Sequence, residues 1–420
     1  MTVPEGAALS IGAVLGTGVI ALPALAAQTA GPASLLAWIL MIALSVPLAA
    51  TFAALGARYP DAGGVSTYVR NAFGARAAAV VGWCFYFAIP VGAPPAAMFG
   101  GAYVAAAFGG GRTTTLITAA LLILVVSAAN FGGLSVSARL QLALAGLLIL
   151  LLLTATLTSL PHARLANLHP FAPHGFGAIG PAAAVLVWGF AGWEAVTSLA
   201  GDFAEPARAI PRVTAIAVVV ISALYLGIAA AGILVLGPAT GSSSAPLAEL
   251  LAIGVGGQVK VFTAFAALLL TLGTMNAYFA GAAKLGSALG RDGALPVWFA
   301  RGSSAGEVPR RSLAVVAVMS WASLALVSMT GASPRPLVLL TTGSFVLVYV
   351  LSMAAGVRLL DPGSWSRRAA VIALVAVTVL LVMTGIYVLW TVVVAAGALG
   401  YERLHPRARS PAEISEVVAP

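Results

Sequence analysis

Two glycine-rich segments are the places where this sequence could do chemistry. They are Gly12-Ala13-Val14-Leu15-Gly16-Thr17-Gly18-Val19-Ile20 and Trp188-Gly189-Phe190-Ala191-Gly192-Trp193-Glu194. Both lie inside long apolar runs, and each glycine weakens a helix by about 1 kcal/mol. We therefore expect the backbone to leave the helical conformation at both places. The unpaired N–H and carbonyl groups of such breaks can bind a charged ligand without any charged side chain.

The first segment predicts a binding site for an anionic group. An unwound Gly16-Thr17-Gly18 followed by a helical turn places free N–H groups at a helix N-terminus, where the helix dipole also favours a carboxylate. Free carbonyl groups around the two breaks can accept three N–H donors, and these carbonyls belong to Val14, Trp188 and Ala191. Together they predict a site for the carboxylate and ammonium of a zwitterionic α-amino acid.

A different interpretation of the same glycines is helix packing. Gly12 and Gly16 are four residues apart, and small residues at this spacing allow two membrane helices to approach closely. The first segment alone favours packing. The presence of a second such segment at a matching position favours the broken-helix interpretation.

Glu194 is the one acidic residue well inside an apolar run. A carboxylate at bilayer depth costs roughly 2.5–3.5 kcal/mol on insertion scales, so its presence indicates a role. We expect Glu194 to gain and lose a proton as part of the protein's function. The competing interpretation is a carboxyl group that only ties the broken helix to its neighbours.

The elements that must position these segments are membrane helices. The chain has 420 residues, of which 61% are hydrophobic and only 8% are charged. This charge content is about a third of that of a soluble globular protein, which excludes a water-soluble domain of this composition. The apolar residues suffice for about 12 spans of about 20 residues each.

The predicted fold class is an all-α integral membrane protein with twelve transmembrane helices. Strand-type alternation is absent from the sequence, which argues against a β-barrel, and runs of this length in lipid favour helices. The predicted spans cover residues 6–29, 33–57, 78–107, 114–131, 138–160, 179–201, 213–236, 258–287, 311–330, 337–357, 369–384 and 386–401. We expect the first run to be a retained span and not a cleaved signal peptide.

The net charge of +9 follows from topology. With the N-terminus in the cytoplasm, all but Arg112, Arg164, Lys260 and Arg335 of the 21 basic residues fall in cytoplasmic connections or the C-terminal tail. This is the distribution of the positive-inside rule for a multi-pass protein of the cytoplasmic membrane with both termini inside. The basic residues therefore indicate orientation and contact with membrane lipid, and no nucleic-acid partner is predicted.

No metal or cofactor is predicted. Cys84 is the one cysteine, so a disulfide framework and a cysteine-based metal site are both excluded. The loop after the fifth span contains His162, His169 and His174. Their spacing fits no standard ligand motif, and the loop is interpreted as an ordinary surface segment.

The two glycine-rich segments lie five spans apart, which predicts an inverted repeat. Because five is odd, the second copy enters the membrane from the opposite side, and the substrate site lies where both helices break. The predicted organisation is a first repeat over 1–160, a second over 161–358, two peripheral helices over 359–404 and a cytoplasmic tail over 405–420.

Five motifs resemble the amino acid–polyamine–organocation transporters. They are Leu15-Gly16-Thr17-Gly18-Val19-Ile20-Ala21-Leu22-Pro23, Phe190-Ala191-Gly192-Trp193-Glu194, Tyr59-Pro60-Asp61-Ala62-Gly63-Gly64, Glu205-Pro206-Ala207-Arg208-Ala209-Ile210-Pro211-Arg212 and Arg291-Asp292-Gly293-Ala294-Leu295-Pro296. The resemblance covers nearly the whole chain, and the short length and Ile89-Pro90-Val91-Gly92-Ala93-Pro94-Pro95 are most similar to bacterial exporters of methionine and branched-chain amino acids.

This resemblance implies a LeuT-type fold of 5+5 inverted repeats with two peripheral helices. It implies that the substrate carboxylate binds at Gly16, Thr17 and Gly18, and that the ammonium binds to the carbonyls of Val14, Trp188 and Ala191. An aromatic residue at or near Trp188 covers the substrate in relatives, and Phe190 and Trp193 are the neighbouring gate candidates.

The predicted pocket wall contains no acidic residue. Its candidates are Pro90, Val91, Pro94, Met275, Asn276, Thr341 and Ser344. This favours neutral apolar substrates such as methionine, leucine, isoleucine and valine over arginine, lysine or polyamines. Ordinary helix packing and kinking is the other explanation for the methionine and the prolines.

Protons are the favoured coupling ion, and efflux by proton antiport with alternating access is the favoured mode. Relatives that carry a lysine in the fifth span use it in place of sodium, but residues 140–160 contain none, which puts that particular proton mechanism in doubt. A sodium site near Thr271, Thr274 and Asn276 is less favoured.

An uptake symporter or exchanger of the same fold remains open. A channel is more distant, since the hydroxyl-bearing positions are scattered over many helices. An intramembrane enzyme is also more distant, since the sequence provides no pair such as Asp/Asp or Ser/His around Glu194.

Overall fold

The computed structural model describes residues 2–59, 65–133, 138–194, 203, 205–302 and 307–405. All regular secondary structure in these residues is helical. The α-helices are Val3–Val14 (α1), Leu22–Ala30 (α2), Ser34–Arg58 (α3), Val65–Phe73 (α4), Ala75–Phe108 (α5), Gly111–Phe131 (α6), Ala138–Ser159 (α7), Ile179–Phe190 (α8), Pro206–Ala231 (α9), Pro246–Val255 (α10), Val259–Arg291 (α11), Arg310–Thr330 (α12), Arg335–Leu359 (α13), Trp365–Met383 (α14) and Val388–Leu404 (α15).

Ten helices in the described part are long and apolar enough to cross a membrane. The prediction of an all-α, multi-pass membrane protein is confirmed to this extent. The first and sixth predicted spans contain shorter helices instead, with α1 ending at Val14 and α8 ending at Phe190. The predicted residues 195–201 of the sixth span, the Pro60–Gly64 part of one motif and residues 406–420 of the tail lie outside the described residues.

Two helices were not predicted from the sequence. Helix α4 joins the second and third predicted spans and buries Val65, Tyr68, Val69 and Ala72. These residues follow the spacing of one helical face, so α4 is amphipathic. Helix α10 lies between the seventh and eighth predicted spans and is too short to cross a bilayer.

Helix α5 is the longest helix in the described part and runs through the centre of the bundle. It remains continuous over 34 residues although Pro90, Pro94 and Pro95 lie inside it. It contacts α6, α11 and α13 extensively. Its central residues, 90–101, are all buried, so α5 lies inside the bundle and not at its surface.

The two interrupted helices have related neighbours. Helix α1 packs against α9, which follows α8, and α8 packs against α3, which follows α2. Helices α3 and α9 also pack against each other. The two breaks therefore face one another at the middle of the bundle.

Candidate substrate site at two helix breaks

The first interruption follows the end of α1 at Val14. The N–H of Leu15 donates to the Ile11 carbonyl at 2.8 Å, and the N–H of Gly16 turns back to donate to the Val14 carbonyl at 2.8 Å. Gly16 is extended, with φ −90° and ψ −166°, and it precedes a short 3₁₀ turn over Thr17–Ile20. The chain leaves the α-helix here and resumes it only in α2.

Two of the three predicted carboxylate-binding residues present backbone amides at the start of this turn. Thr17 and Gly18 are its first residues, where N–H groups lack an intrahelical partner. The Gly16 N–H is not free to bind an anion in the same way, because it already donates a hydrogen bond to the Val14 carbonyl. The amides of Thr17 and Gly18 are thus the donors that this break offers to an anion.

The second interruption follows α8 at Phe190. Ala191 is extended, with ψ 139°, and Gly192 has φ +121°, a conformation that side-chain-bearing residues rarely adopt. A Cβ at Gly192 would lie 2.7 Å from the carbonyl oxygen of Ala13. Gly192 therefore allows both the turn and the close approach to α1.

The contact between the breaks is reciprocal. A Cβ at Gly18 would lie 2.5 Å from Cδ1 of Trp188, so the first break packs directly on the α8 indole. Gly92 of α5 provides space on the other side, since a Cβ there would lie 3.0 Å from the far end of the same ring. The indole of Trp188 is held between two glycines.

A central cavity of about 50 Å³ lies between the two breaks. Eight of the predicted site residues line it: Val14, Gly16, Thr17, Gly18, Trp188, Ala191, Met275 and Thr341. The other lining residues are Ala88, Ile89, Gly92, Ala93, Ala96, Thr274, Tyr278, Phe279 and Phe345. None of these side chains carries a charge, so any charge on a ligand here is met by backbone groups and dipoles.

Two of the three predicted gate residues do not line the cavity. Phe190 is buried against Trp38 and Tyr225, with ring centroids 6.1 Å and 5.2 Å away. Trp193 is also buried, with 1% of its surface exposed. Of the three candidates, Trp188 alone contacts the cavity.

Several predicted wall residues also lie elsewhere. Pro90, Val91 and Pro94 are buried in α5 but point away from the lining, which uses Ala88, Ile89, Gly92, Ala93 and Ala96 of the same helix. The Asn276 side-chain oxygen accepts a 2.7 Å hydrogen bond from the Asn130 amide of α6. The Ser344 hydroxyl lies 3.5 Å from that of Thr391 on α15. These polar groups therefore join helices.

Thr341 supplies a side-chain polar group to the cavity. Its hydroxyl oxygen is buried and has no hydrogen-bond partner among the described residues. A buried hydroxyl without a partner costs free energy, which a ligand can recover by bonding to it. The Thr341 hydroxyl is thus available to a ligand in the cavity.

Tyr225 of α9 connects the two breaks and was not predicted from the sequence. Its hydroxyl lies 2.6 Å from the Gly189 carbonyl and 3.1 Å from the Val14 carbonyl. Since one hydroxyl has one proton, the two carbonyls share it. Val14 also accepts the Gly16 N–H, so its carbonyl is already engaged. Among the predicted ammonium-binding carbonyls, those of Trp188 and Ala191 have no such bonds in the described structure.

Glu194 is half-buried and is held by the turn that precedes it. Its Oε2 accepts a 2.6 Å hydrogen bond from the Tyr349 hydroxyl of α13 and a 3.0 Å bond from the Gly192 N–H. The Gly192 N–H also lies 3.3 Å from the Tyr349 hydroxyl. This triad ties the second break to α13.

A second cavity, here called the Glu194 cavity, adjoins the central cavity. It measures about 270 Å³ and lies between α1, α7 and α11, with Gln141 and Glu194 among its polar lining residues. Thr274 and Tyr278 line both cavities. Glu194 is therefore close to the central cavity without lining it.

A third cavity, here called the Arg112 cavity, lies beyond the opposite end of the central cavity. It measures about 440 Å³, and it is lined by α2, α5, the start of α6 and the segments before α10 and α13. Phe99 lines this cavity and packs edge-on against Trp188 at 6.3 Å. The Phe99–Trp188 pair thus separates the Arg112 cavity from the central cavity.

The fold is that of a multi-pass membrane protein with a small central cavity, which lies between two helix breaks and is lined by no charged side chain of the described residues. Residues 4–398 match the family model described as amino acid permease, and the chain belongs to this family, within the amino acid–polyamine–organocation superfamily. The family and the relatives found are transporters, so the chain is not an enzyme.

Three curated relatives show the range of this similarity. The uncharacterized amino acid permease YecA of Bacillus subtilis (strain 168) is 32% identical over 400 residues, covering 94% of both chains. The L-methionine/branched-chain amino acid exporter YjeH of Escherichia coli (strain K12) is 32% identical over 398 residues, covering 94% of this chain and 93% of that one. The branched-chain amino acid permease BcaP of Bacillus subtilis (strain 168) is 25% identical over 250 residues, covering 53% and 52%.

Proposed function

We propose that this protein is a secondary active transporter that moves neutral apolar L-amino acids out of the cell by proton antiport. The observation that carries this proposal is the central cavity, which joins two interrupted helices and has no charged side chain in its lining. Such a site meets the two charges of a zwitterion with helix ends and leaves the rest of the wall for an apolar side chain.

The proposed binding mode assigns one group to each part of the substrate. The carboxylate accepts hydrogen bonds from the backbone N–H groups of Thr17 and Gly18. The ammonium donates hydrogen bonds to the carbonyl oxygens of Trp188 and Ala191. The Thr341 hydroxyl, which is buried without a partner among the described residues, supplies a further bond. The side chain then lies among apolar residues such as Met275 and Phe345. Methionine, leucine, isoleucine and valine fit this chemistry, and the name of the Escherichia coli relative supports the same group.

The proposed architecture has twelve crossings in two inverted repeats, over 1–160 and 161–358, with peripheral helices over 359–404. The reciprocal packing of α1 on α9 and of α8 on α3 supports it, because a two-fold axis in the membrane plane exchanges these pairs. On this basis, the ten long helices and the two interrupted ones make up the twelve spans, and rocking between the repeats gives alternating access.

Glu194 is the proposed proton-coupling group. It lines a cavity next to the substrate site, and its hydrogen bonds connect the second break with α13. Gain or loss of a proton on this carboxyl changes the bonding between these two elements. Exchange of a zwitterion for one proton draws about 2.3 kcal/mol per 100 mV of membrane potential, which is enough to drive accumulation.

The proposed location is the cytoplasmic membrane, with both termini inside. The supporting observation is the distribution of basic residues along the sequence, which also places cations where they can contact anionic lipid headgroups. In this orientation the Glu194 cavity faces the cytoplasm, because it is lined by α1, which forms the N-terminal part of the first span, and by the N-terminal half of α7.

The test is transport in proteoliposomes containing the full chain. We expect saturable counterflow of methionine and leucine, no counterflow of arginine, and accumulation of leucine inside the proteoliposomes when protons flow outward down a pH gradient. A preference for arginine over leucine would contradict the pocket assignment. Accumulation in the same direction as the proton would identify a symporter, and flux that does not saturate would indicate a channel.

A further inference from the structure

Tyr278 occupies the boundary between the central cavity and the Glu194 cavity. Thr274 and Tyr278 are the residues common to the two linings. They are four positions apart on α11, so they lie one turn from each other on the same helical face. Tyr278 is 38% exposed although it lies midway along a membrane-length helix. Its position in both linings accounts for this exposure.

The other boundary of the central cavity is closed by a different kind of contact. There, Phe99 and Trp188 pack edge-on at 6.3 Å, and Gly18 and Gly92 hold the indole from two sides. Movement of Trp188 toward the Arg112 cavity therefore requires the Phe99 ring to move as well. Among the described residues, no comparable packing immobilises Tyr278, whose ring contacts open space in two directions.

The helices that surround the Glu194 cavity are closely packed. A Cβ at Gly12 of α1 would lie 3.1 Å from the Ala145 Cβ of α7, and a Cβ at Gly273 of α11 would lie 2.4 Å from Leu144 Cδ1. Helices α1 and α7, and likewise α7 and α11, are thus in direct contact at this level. A path through this boundary opens with the least rearrangement if a side chain moves and these helix contacts stay intact.

We propose that the ring of Tyr278 is the partition between the substrate cavity and the Glu194 cavity, and that its rotation opens the path between them. This inference rests on the proposed transport function, since it assigns the step by which a substrate passes between the two spaces. Thr274 is too small to close the boundary alone. The central cavity of about 50 Å³ also leaves little room for an amino acid until a lining side chain moves.

The partition can be tested by the accessibility of engineered cysteines. The sequence contains one cysteine, Cys84, which is fully buried. A Cys84→Ala background therefore contains no thiol that the reagent can label. Ala93→Cys places a reporter in the central cavity, and Ala8→Cys places a control reporter in the Glu194 cavity. A membrane-impermeant, positively charged methanethiosulfonate is added to right-side-out cells and to inverted vesicles in separate experiments.

In the background with Tyr278 present, we expect rapid labelling of the Ala8→Cys reporter and slow labelling of the Ala93→Cys reporter from the same face. Tyr278→Ala should raise the labelling rate of the Ala93→Cys reporter by about tenfold, because labelling follows the fraction of time that the path is open. Tyr278→Phe keeps the ring and should leave this rate nearly unchanged. Tyr278→Leu is a second variant that keeps apolar volume but lacks the planar ring, and it should give an intermediate rate.

The labelling rate of the Ala8→Cys reporter monitors the fold of each variant, so a misfolded protein is recognised directly. If Tyr278→Ala and Tyr278→Leu both leave labelling in the central cavity unchanged while the control reporter labels normally, the partition is overturned. The proposed partition would also be overturned if Tyr278→Phe raised the labelling rate of the Ala93→Cys reporter as much as Tyr278→Ala does, because the ring would then not be the barrier. The readout is chemical and needs no transport. Loss of the proposed function therefore appears separately, as absent counterflow with the labelling pattern intact.

Discussion

Gly192 lies so close to Ala13 that a Cβ on the glycine would be 2.7 Å from the alanine carbonyl oxygen. This contact joins the break after α8 to the last turn of α1. Gly18 and Trp188 make the reciprocal contact, with a hypothetical Cβ 2.5 Å from the indole. Each helix break is therefore shaped by the element that carries the other.

The first prediction concerns Gly192→Ala. Gly192 has a φ of +121°, which disfavours any residue with a side chain, and the Ala13 carbonyl oxygen occupies the space that a Cβ would need. Backbone strain of this kind lowers the stability of the folded protein by about 1–3 kcal/mol. We expect a lower midpoint of thermal unfolding in detergent and loss of leucine counterflow. Gly146→Ala in α7 is the control, because a Cβ there meets nothing within 4 Å. Equal stability of the two variants would refute the predicted packing of the breaks.

The second prediction compares two neighbouring glycines of the proposed carboxylate site. A Cβ at Gly16 would make an ordinary 3.6 Å contact with Thr274, whereas one at Gly18 would displace Trp188. Gly18→Ala should therefore weaken leucine binding by about tenfold, or about 1.4 kcal/mol, and Gly16→Ala should weaken it much less. Isothermal titration of the purified variants measures this, and Gly18→Leu should abolish binding. Retained affinity in Gly18→Leu would contradict the backbone site.

The third prediction concerns Glu194 and Tyr349. Glu194→Gln keeps the size of the side chain but removes its ability to exchange a proton, so it should abolish accumulation driven by a pH gradient while exchange continues. Tyr349→Phe removes the 2.6 Å hydrogen bond and should alter the pH dependence of transport without abolishing it. Both are measured with radiolabelled leucine in proteoliposomes. If Glu194→Gln leaves both modes unchanged, the proton assignment is wrong.

The fourth prediction concerns Tyr225, whose hydroxyl is shared by the carbonyls of Gly189 and Val14. Tyr225→Phe should lower stability by about 0.5–1.5 kcal/mol, the usual net value of a hydrogen bond. Tyr401→Phe is the matched control, because no side-chain hydrogen bond of Tyr401 is present in the described structure. Thermal unfolding compares the two, and an equal effect would show that the bridge between the breaks contributes nothing.

The fifth prediction separates a packing residue from a substrate residue. Asn276 bonds to Asn130 across α11 and α6, and it does not line the cavity. Asn276→Ala should reduce stability and leave leucine affinity unchanged. A double-mutant cycle with Asn130→Ala should give a coupling of about 0.6 kcal/mol, with about 1.7 as an upper limit. A selective loss of affinity would instead place Asn276 in the binding site.

Local properties of the chain made the helical fold, the two helix breaks and the importance of Glu194 predictable. Long apolar runs with few charges require helices, because lipid offers no hydrogen-bond partners to the backbone. The glycine density at Gly12–Gly18 and Gly189–Gly192 predicted where helices end, since local flexibility depends on residue type. The isolated position of Glu194 in an apolar run marked it in the same way.

The direction in which each side chain points could not be predicted in this way. Phe190 and Trp193 lie in the same segment as Trp188, yet of these three only Trp188 lines the cavity. Phe190 is two positions after Trp188 on α8 and so faces another side of that helix, whereas Trp193 follows the turn at Ala191–Gly192. Residue type alone predicts that the prolines of α5 and Asn276 belong to the cavity wall. Helix phase decided that their neighbours line the cavity instead.

The sequence by itself determined the class of the protein, the location of the ten long apolar helices in the described part and the two places where helices break. These depend on composition and on local backbone preferences, which each segment carries independently. Only the tertiary structure decided that Tyr225 bridges the breaks, that Tyr349 holds Glu194 and that Tyr278 lies between two cavities. Each of these relationships joins residues from different helices, and their contact depends on how the helices pack against one another and not on any local pattern.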